Sequence, residues 1–67
     1  MINVTINGET RDVPEGVNVE GLLAVLGLSV ERVAIERNLE ILPRSEWNIT
    51  QVRPGDRFEI VHFVGGG

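Results

Sequence analysis

The chain has 67 residues, a formal net charge of −4 and six basic residues, all of them arginine. A chain this short buries only about 60% of its unfolded surface, so it has room for one small core and not for a cleft of enzyme size. The acidic balance excludes the partners that need a basic patch, so we expect neither nucleic acid nor an anionic membrane as a partner.

Cysteine is absent and His62 is the only histidine. A thiol nucleophile, an iron–sulfur cluster and a thiolate zinc site are therefore excluded, and we expect no catalytic residue, no metal and no bound cofactor. Any sulfur that the protein handles must be carried elsewhere than on a cysteine. With no disulfide available, the domain must fold by packing alone.

The first segment predicts a β-hairpin. Ile2, Val4 and Ile6 alternate with polar residues, as in a half-buried strand, and Asn7-Gly8 follows at once. Asn-Gly is the strongest short signal for a type I′ turn. The return strand, residues 9–13, is more polar, which suits an edge strand. A strand at the very start with no basic leader also predicts that no signal peptide is present and that the protein is cytoplasmic.

A short helix follows. Asn18 is placed to cap it, and Gly27 is placed to end it in a left-handed conformation. Gly21 is expected to mark a close approach between the helix and the sheet. The apolar face has helical spacing and consists of Val19, Leu22, Leu23 and Leu26.

The middle of the chain fits two patterns. Val33, Ile35, Leu39 and Ile41 share one parity, which favours two strands around Asn38, whereas Val30, Val33 and Ala34 also fit a helical face. The β-branched residues and the proline at position 43 favour the strands. A short helical turn is expected at residues 44–47, with Trp47 in the core, and a type II turn at residues 53–56.

The last strand, residues 57–64, is apolar on both faces. Phe58 and Ile60 are assigned to the core, because Glu59 marks the opposite face as wet. Val61 and Phe63 then lie on the exposed face, where apolar side chains often mark a protein-binding surface. We therefore predict partner docking at Val61 and Phe63.

These elements predict an α+β fold in which the last strand lies parallel to the first at the centre of the sheet. The expected architecture is the ubiquitin-like β-grasp: a mixed four- to five-stranded sheet with one main helix packed on one face. We divide the chain into a β-grasp domain at residues 1–64 and a flexible glycine tail at residues 65–67. The longest apolar run has only five residues, from Leu22 to Leu26, too few to cross a membrane.

The tail is Gly65-Gly66-Gly67. Glycine has no side chain to pack, and ordering it has a large entropic cost, so the run has little use inside a fold. An extended, side-chain-free backbone can instead be threaded into a narrow enzyme pocket, where it presents its terminal carboxylate. An incidental extension or a frayed end is the simpler alternative.

Several features together resemble the ThiS family, the sulfur carriers of the thiamine pathway. They are the Asn7-Gly8 hairpin, the segment Ile41-Leu42-Pro43-Arg44-Ser45-Glu46-Trp47, Gly55-Asp56 before an apolar strand, and the terminal Gly66-Gly67. The resemblance covers essentially the whole chain.

The resemblance implies a mechanism and partners. A ThiF-like adenylyltransferase, related to ubiquitin-activating enzymes, would use ATP and Mg²⁺ to adenylate the Gly67 carboxylate. A persulfide sulfur donor would convert the adenylate to a thiocarboxylate, and thiazole synthase would take the sulfur to build the thiazole ring of thiamine. Gly65 and Gly66 would thread into the enzyme channel. Alternatives are a molybdopterin-type carrier, a ubiquitin-like modifier and a plain β-grasp interaction domain.

Overall fold

The computed structural model describes residues 1–63, which form a five-stranded sheet and an α-helix. The helix, α1, is Val19–Leu26. The strands are β1 (Ile2–Ile6), β2 (Glu9–Val13), β3 (Val33–Arg37), β4 (Glu40–Ile41) and β5 (Arg57–His62). Two 3₁₀ helices, Val30–Arg32 and Arg44–Glu46, flank the β3–β4 hairpin.

The last strand lies at the centre of the sheet. The strand order is β2-β1-β5-β3-β4, with β5 parallel to β1 and antiparallel to β3. A mixed sheet of this order with one helix is the β-grasp arrangement, which confirms the expected fold class. Strand β2 is an edge strand, as its polar sequence predicted.

The core lies between α1 and one face of the sheet. Val19, Leu22 and Leu23 of the helix are fully buried, and they pack with Phe58 and Ile60 of β5 in the same apolar cluster. The strand residues of the opposite parity point away from the helix. We call that helix-free side of the sheet the open face.

Both ends of α1 are closed by local bonds. The Asn18 side-chain oxygen accepts from the Gly21 backbone N–H at 2.8 Å. Gly27 has a φ of 73°, and the backbone N–H of Leu28 donates to the Leu23 carbonyl at 2.9 Å, a Schellman ending. The expectation for Gly21 was wrong. A Cβ there would meet the Asn18 side-chain oxygen at 3.3 Å, so the glycine clears the helix cap and not the sheet.

The β3–β4 hairpin places the apolar residues of the middle segment on two different faces of the sheet. Asn38 and Leu39 have φ values of 51° and 73°, and Glu36 pairs with Ile41. Residues paired across a two-residue turn share a face of the sheet, and one of their numbers is odd while the other is even. Residues on the two strands whose numbers are both odd therefore lie on opposite faces. Leu39 and Ile41 are therefore exposed, at 89% and 80%, while Val33 and Ile35 are buried.

A buried carboxylate fixes the turn that enters β5. Asp56 accepts from the Arg53 backbone N–H at 2.9 Å and from Arg37 Nε at 3.1 Å. Its second oxygen accepts from the Asn38 side-chain amide at 3.3 Å. Gly55 has a φ of 84°, as the third residue of a type II turn requires. Asp56 thus ties the beginning of β5 to β3 and its hairpin turn.

The first hairpin turn is also bonded to β5. Asn7 and Gly8 both have positive φ, which confirms the type I′ turn. The Ile60 backbone N–H donates to Asn7 Oδ1 at 2.8 Å, and Asn7 Nδ2 donates to the Ile60 carbonyl at 3.1 Å. The side-chain amide therefore continues the β1–β5 ladder after β1 has ended.

Replacing Asn7 with aspartate is expected to destabilise the domain by about 1–3 kcal/mol. The carboxylate can still accept from the Ile60 N–H, but its other oxygen then faces the Ile60 carbonyl without a proton to donate. Asn7→Gly also tolerates the positive φ, and it removes both hydrogen bonds without adding repulsion. We therefore expect it to lose less stability than Asn7→Asp. Urea denaturation of the three proteins measures the order, and an Asp variant as stable as wild type would rule out the two-point bond.

Candidate functional site

The strand that leads to the glycine tail is bonded to β1 and Asn7 as far as Ile60 on one side and to β3 as far as His62 on the other. Strand β5 pairs with β1 and β3, and the Phe63 backbone N–H donates to the Arg32 carbonyl at 2.7 Å just after the strand ends. The chain is therefore fixed as far as Phe63. The predicted tail residues Gly65, Gly66 and Gly67 lie outside the described residues, so their threading and modification stay predictions.

Val61 and Phe63 lie on the exposed surface beside that end. Their exposed fractions are 60% and 50%, whereas Phe58 and Ile60 on the same strand are 1% and 7% exposed. Val61 pairs with Ala34 of β3, so the two apolar side chains are neighbours on the open face. The exposure agrees with the sequence-based face assignment, and the docking role stays a prediction.

A groove of about 340 Å³ runs beside these residues. Val61, Phe63 and Ala34 line it from the sheet, and Ile41 lines it from β4. Ile41 was not among the predicted docking residues, which were Val61 and Phe63. Because Ile41 lines the groove, the exposed apolar surface is larger than the area contributed by Val61 and Phe63 alone.

The segment after β4 forms the wall of the groove. Trp47 is 2% exposed, and its Nε1 donates to the Leu42 carbonyl at 3.0 Å, which confirms that it is a packing residue. The Arg44 guanidinium lies 4.7 Å from the centroid of the Trp47 ring and bonds to the carbonyls of Val30 and Val33. The Pro-Arg-x-x-Trp sequence therefore holds the wall against the start of β3.

Two glutamates on neighbouring strands line the groove. Glu36 and Glu59 are directly paired in the β3–β5 register, are both exposed and both line the groove. The ion pairs among residues 1–63 are Arg37–Asp56 and Glu9–Arg11, so neither carboxylate has a cation within 4.0 Å. In the sequence Glu36 is simply one of ten acidic residues. Only the pairing register, which the sequence did not supply, brings it to Glu59.

The described residues offer no site for metal. Within residues 1–63, no group of three or more histidine, cysteine, aspartate or glutamate side chains is arranged to hold an ion. His62 is exposed at the last position of β5. No helix within residues 1–63 is long and apolar enough to cross a membrane.

Comparison with protein families decides the identity. The sequence model of the ThiS family matches residues 4–67, which takes in the β-grasp domain and the glycine run. The chain belongs to the ThiS family. This match confirms the resemblance to the ThiS family that was based on the Asn7-Gly8 hairpin, the Pro-Arg-x-x-Trp segment and the terminal glycines.

Relatives and solved structures agree with this assignment. The ThiS-family chain is 39% identical to the thiamine biosynthesis protein ThiS of Geobacter metallireducens, whose crystal structure matches with a TM-score of 0.83 over 98% of this chain and 100% of that one. It is 41% identical over 49 residues to the sulfur carrier protein ThiS of Bacillus subtilis, covering 73% of this chain and 74% of that protein.

A third relative is a larger protein. Over 66 residues, which are 98% of this chain, the sequence is 47% identical to a thiazole synthase of Paramagnetospirillum magneticum. The ThiS-family chain spans only about a fifth of the length of that curated relative and of a second thiazole synthase, from Magnetococcus marinus. In both proteins the matched segment shares one polypeptide with the rest of a chain named thiazole synthase.

Proposed function

We propose that this ThiS-family chain is a cytoplasmic sulfur carrier for thiamine biosynthesis and that Gly67 bears the sulfur. The observation that carries the proposal is the family match, which runs through the glycine run to residue 67. The sulfur carrier protein ThiS of Bacillus subtilis supports the carrier role by its similarity. The two thiazole synthases support thiazole synthase as the protein that takes the sulfur.

The first step activates a poor electrophile. A carboxylate oxygen of Gly67 attacks the α-phosphorus of MgATP on a ThiF-like adenylyltransferase, and the bond to pyrophosphate breaks. The product is an acyl adenylate, in which AMP is a good leaving group. ATP and Mg²⁺ belong to the partner's active site, and the carrier supplies the carboxylate.

The second step replaces oxygen with sulfur. The terminal sulfur of a persulfide donor attacks the acyl carbon, and AMP leaves, which gives an acyl disulfide. A thiol then attacks the donor-side sulfur, so the S–S bond is reduced and a new disulfide forms on the donor. The carrier is left with a thiocarboxylate on Gly67. Because the chain has no cysteine, no side-chain thiol of its own competes in these exchanges.

The fold suits a carrier that leaves catalysis to its partners. The tail follows a central strand whose position is fixed as far as Phe63, so a partner that grips the sheet also locates the tail. Gly67 lies four residues after Phe63 in the sequence, and a fully extended chain spans at most about 3.3–3.6 Å per residue. Gly67 can therefore enter a channel roughly 13–14 Å deep.

Intact-mass analysis tests this function. The full chain is incubated with MgATP, the ThiF-like protein of the same genome and a persulfide donor. We expect an AMP adduct without the donor and an oxygen-to-sulfur exchange with it, both mapped to Gly67 by fragmentation. Recovery of unmodified chain, with an established ThiS modified in parallel, would contradict the proposal.

A second test addresses partner docking at Val61 and Phe63. Val61→Asp or Phe63→Asp is expected to weaken binding of the adenylyltransferase by roughly 10- to 100-fold, since the loss of a hot-spot residue at the centre of an interface costs about 2 kcal/mol or more. The fold should survive, because both side chains are at least half exposed. Titration calorimetry gives the affinity and circular dichroism the fold. Ile49→Asp is the matched control, because Ile49 is 75% exposed and does not line the groove.

A further inference from the structure

The paired carboxylates of Glu36 and Glu59 give the groove a chemical preference. Side chains directly opposite each other in an antiparallel pair have Cβ atoms about 4.5–5.5 Å apart, and like charges at such positions destabilise the sheet. Ala34 and Val61 make the neighbouring cross-strand pair on the same face, and Ile41 lies beside Glu36 on β4. The groove thus joins an apolar stretch to a concentrated negative charge.

Within residues 1–63, no arginine forms an ion pair with either glutamate. Arg37 is engaged with Asp56, and Arg44 is stacked on Trp47 and bonded to two carbonyls. Arg57 is exposed two residues before Glu59, but within residues 1–63 it forms no ion pair with either glutamate. The negative charge is therefore available to a partner.

We propose that the groove seats an arginine-bearing apolar segment of the adenylyltransferase, with the guanidinium held between the carboxylates of Glu36 and Glu59. The inference rests on the proposed function, because it names what that partner inserts at the docking face. A guanidinium is planar, carries its charge at any physiological pH and can bond two carboxylates at once, which a lysine ammonium does less well. Apolar neighbours of the arginine would lie against Val61 and Phe63.

A second copy of this chain fits the groove less well. In a two-fold symmetric contact the same patch meets itself, so the carboxylate pairs of the two copies would be brought together. The net charge of −4 on each copy adds to that repulsion. The same charges attract a basic segment and exclude partners that present acids, which is how interface charges set specificity.

The experiment compares two double variants with equal change in charge. Glu36→Gln/Glu59→Gln removes both groove carboxylates, and Glu31→Gln/Glu40→Gln removes two exposed carboxylates that do not line the groove. Binding of the full chain to the adenylyltransferase is measured by surface plasmon resonance. We expect the groove variant to bind roughly 10- to 100-fold more weakly, mainly through faster dissociation, as for a charge pair buried in an interface. The control should change affinity less than about threefold, mainly through slower association.

Thermal unfolding of the free chain provides a readout independent of the partner. The groove variant should have a Tm a few degrees above wild type, because it loses the repulsion between the paired carboxylates. A Tm well below wild type would show that the glutamates stabilise the sheet and would overturn the premise.

The outcomes separate this inference from the function it rests on. Wild-type chain that binds and is adenylated, with a groove variant that binds equally well, overturns the arginine seat and leaves the carrier function standing. Equal weakening in both double variants shows general charge attraction and also overturns the seat. Wild-type chain that neither binds nor is adenylated overturns both. Sedimentation equilibrium tests whether a second copy of this chain occupies the groove. A dimer that is stronger in the groove variant than in wild type would assign the face to that second copy and overturn the arginine seat.

Discussion

Replacing Gly66 with valine is expected to lower the rate of adenylation at Gly67 by at least about 100-fold, since a displacement of about 1 Å at a reacting group can cost that much. A β-branched side chain adjacent to the modified residue widens the chain where the proposed channel admits only backbone. It also restricts the backbone torsions that glycine leaves free. Single-turnover release of pyrophosphate, with the adenylyltransferase in excess, measures the effect on the chemical step.

Graded substitution separates threading from docking. Gly66→Ala should lie between wild type and Gly66→Val, because it adds one methyl group, and the affinity of the sheet face for the enzyme should change little in either variant. Unchanged Tm values would show that the domain is intact. Wild-type rates for the valine variant would rule out a narrow channel at this position.

Replacing Trp47 with alanine is expected to unfold most of the population at 37 °C. Loss of a buried tryptophan costs about 3–5 kcal/mol, and a core in a domain of fewer than about 70 residues rarely supplies more than that. Trp47 is 2% exposed, supports the Arg44 guanidinium and donates to the Leu42 carbonyl. Because Trp47 is the only tryptophan, unfolding is followed by far-ultraviolet circular dichroism and not by fluorescence.

Trp47→Phe is the matched variant. It keeps an aromatic ring under Arg44 but loses some volume and the hydrogen bond to Leu42, so we expect a loss of about 1–2 kcal/mol. An alanine variant as stable as the phenylalanine variant would show that the ring contributes little beyond its hydrogen bond.

The elements that the sequence predicted correctly depend on local signals. The Asn7-Gly8 turn, the Asn18 cap and the Gly27 ending each lie within a few residues of the backbone groups that they arrange. The central position of the last strand was also predicted, because residues 57–64 are apolar on both faces.

The features that the sequence did not reveal depend on register. Val33 and Ile41 have the same parity in the sequence, but the two-residue turn between β3 and β4 places them on opposite faces of the sheet. The contact between Glu36 and Glu59 requires the exact alignment of β3 with β5, and two sequence patterns do not fix it. The pairing of two acidic residues in the groove could therefore not be predicted from the sequence.

The bond between Asn7 and Ile60 also has a consequence for how the protein folds. The two residues are 53 positions apart, so the bond closes a loop that contains most of the chain. Contacts of such long range form late and at a high entropic cost, whereas the first hairpin can form on its own. The strand that carries the tail is thus secured only when nearly all of the domain is in place. A nascent or partly unfolded chain would not offer its sheet face and tail together, which would restrict the proposed activation to folded molecules.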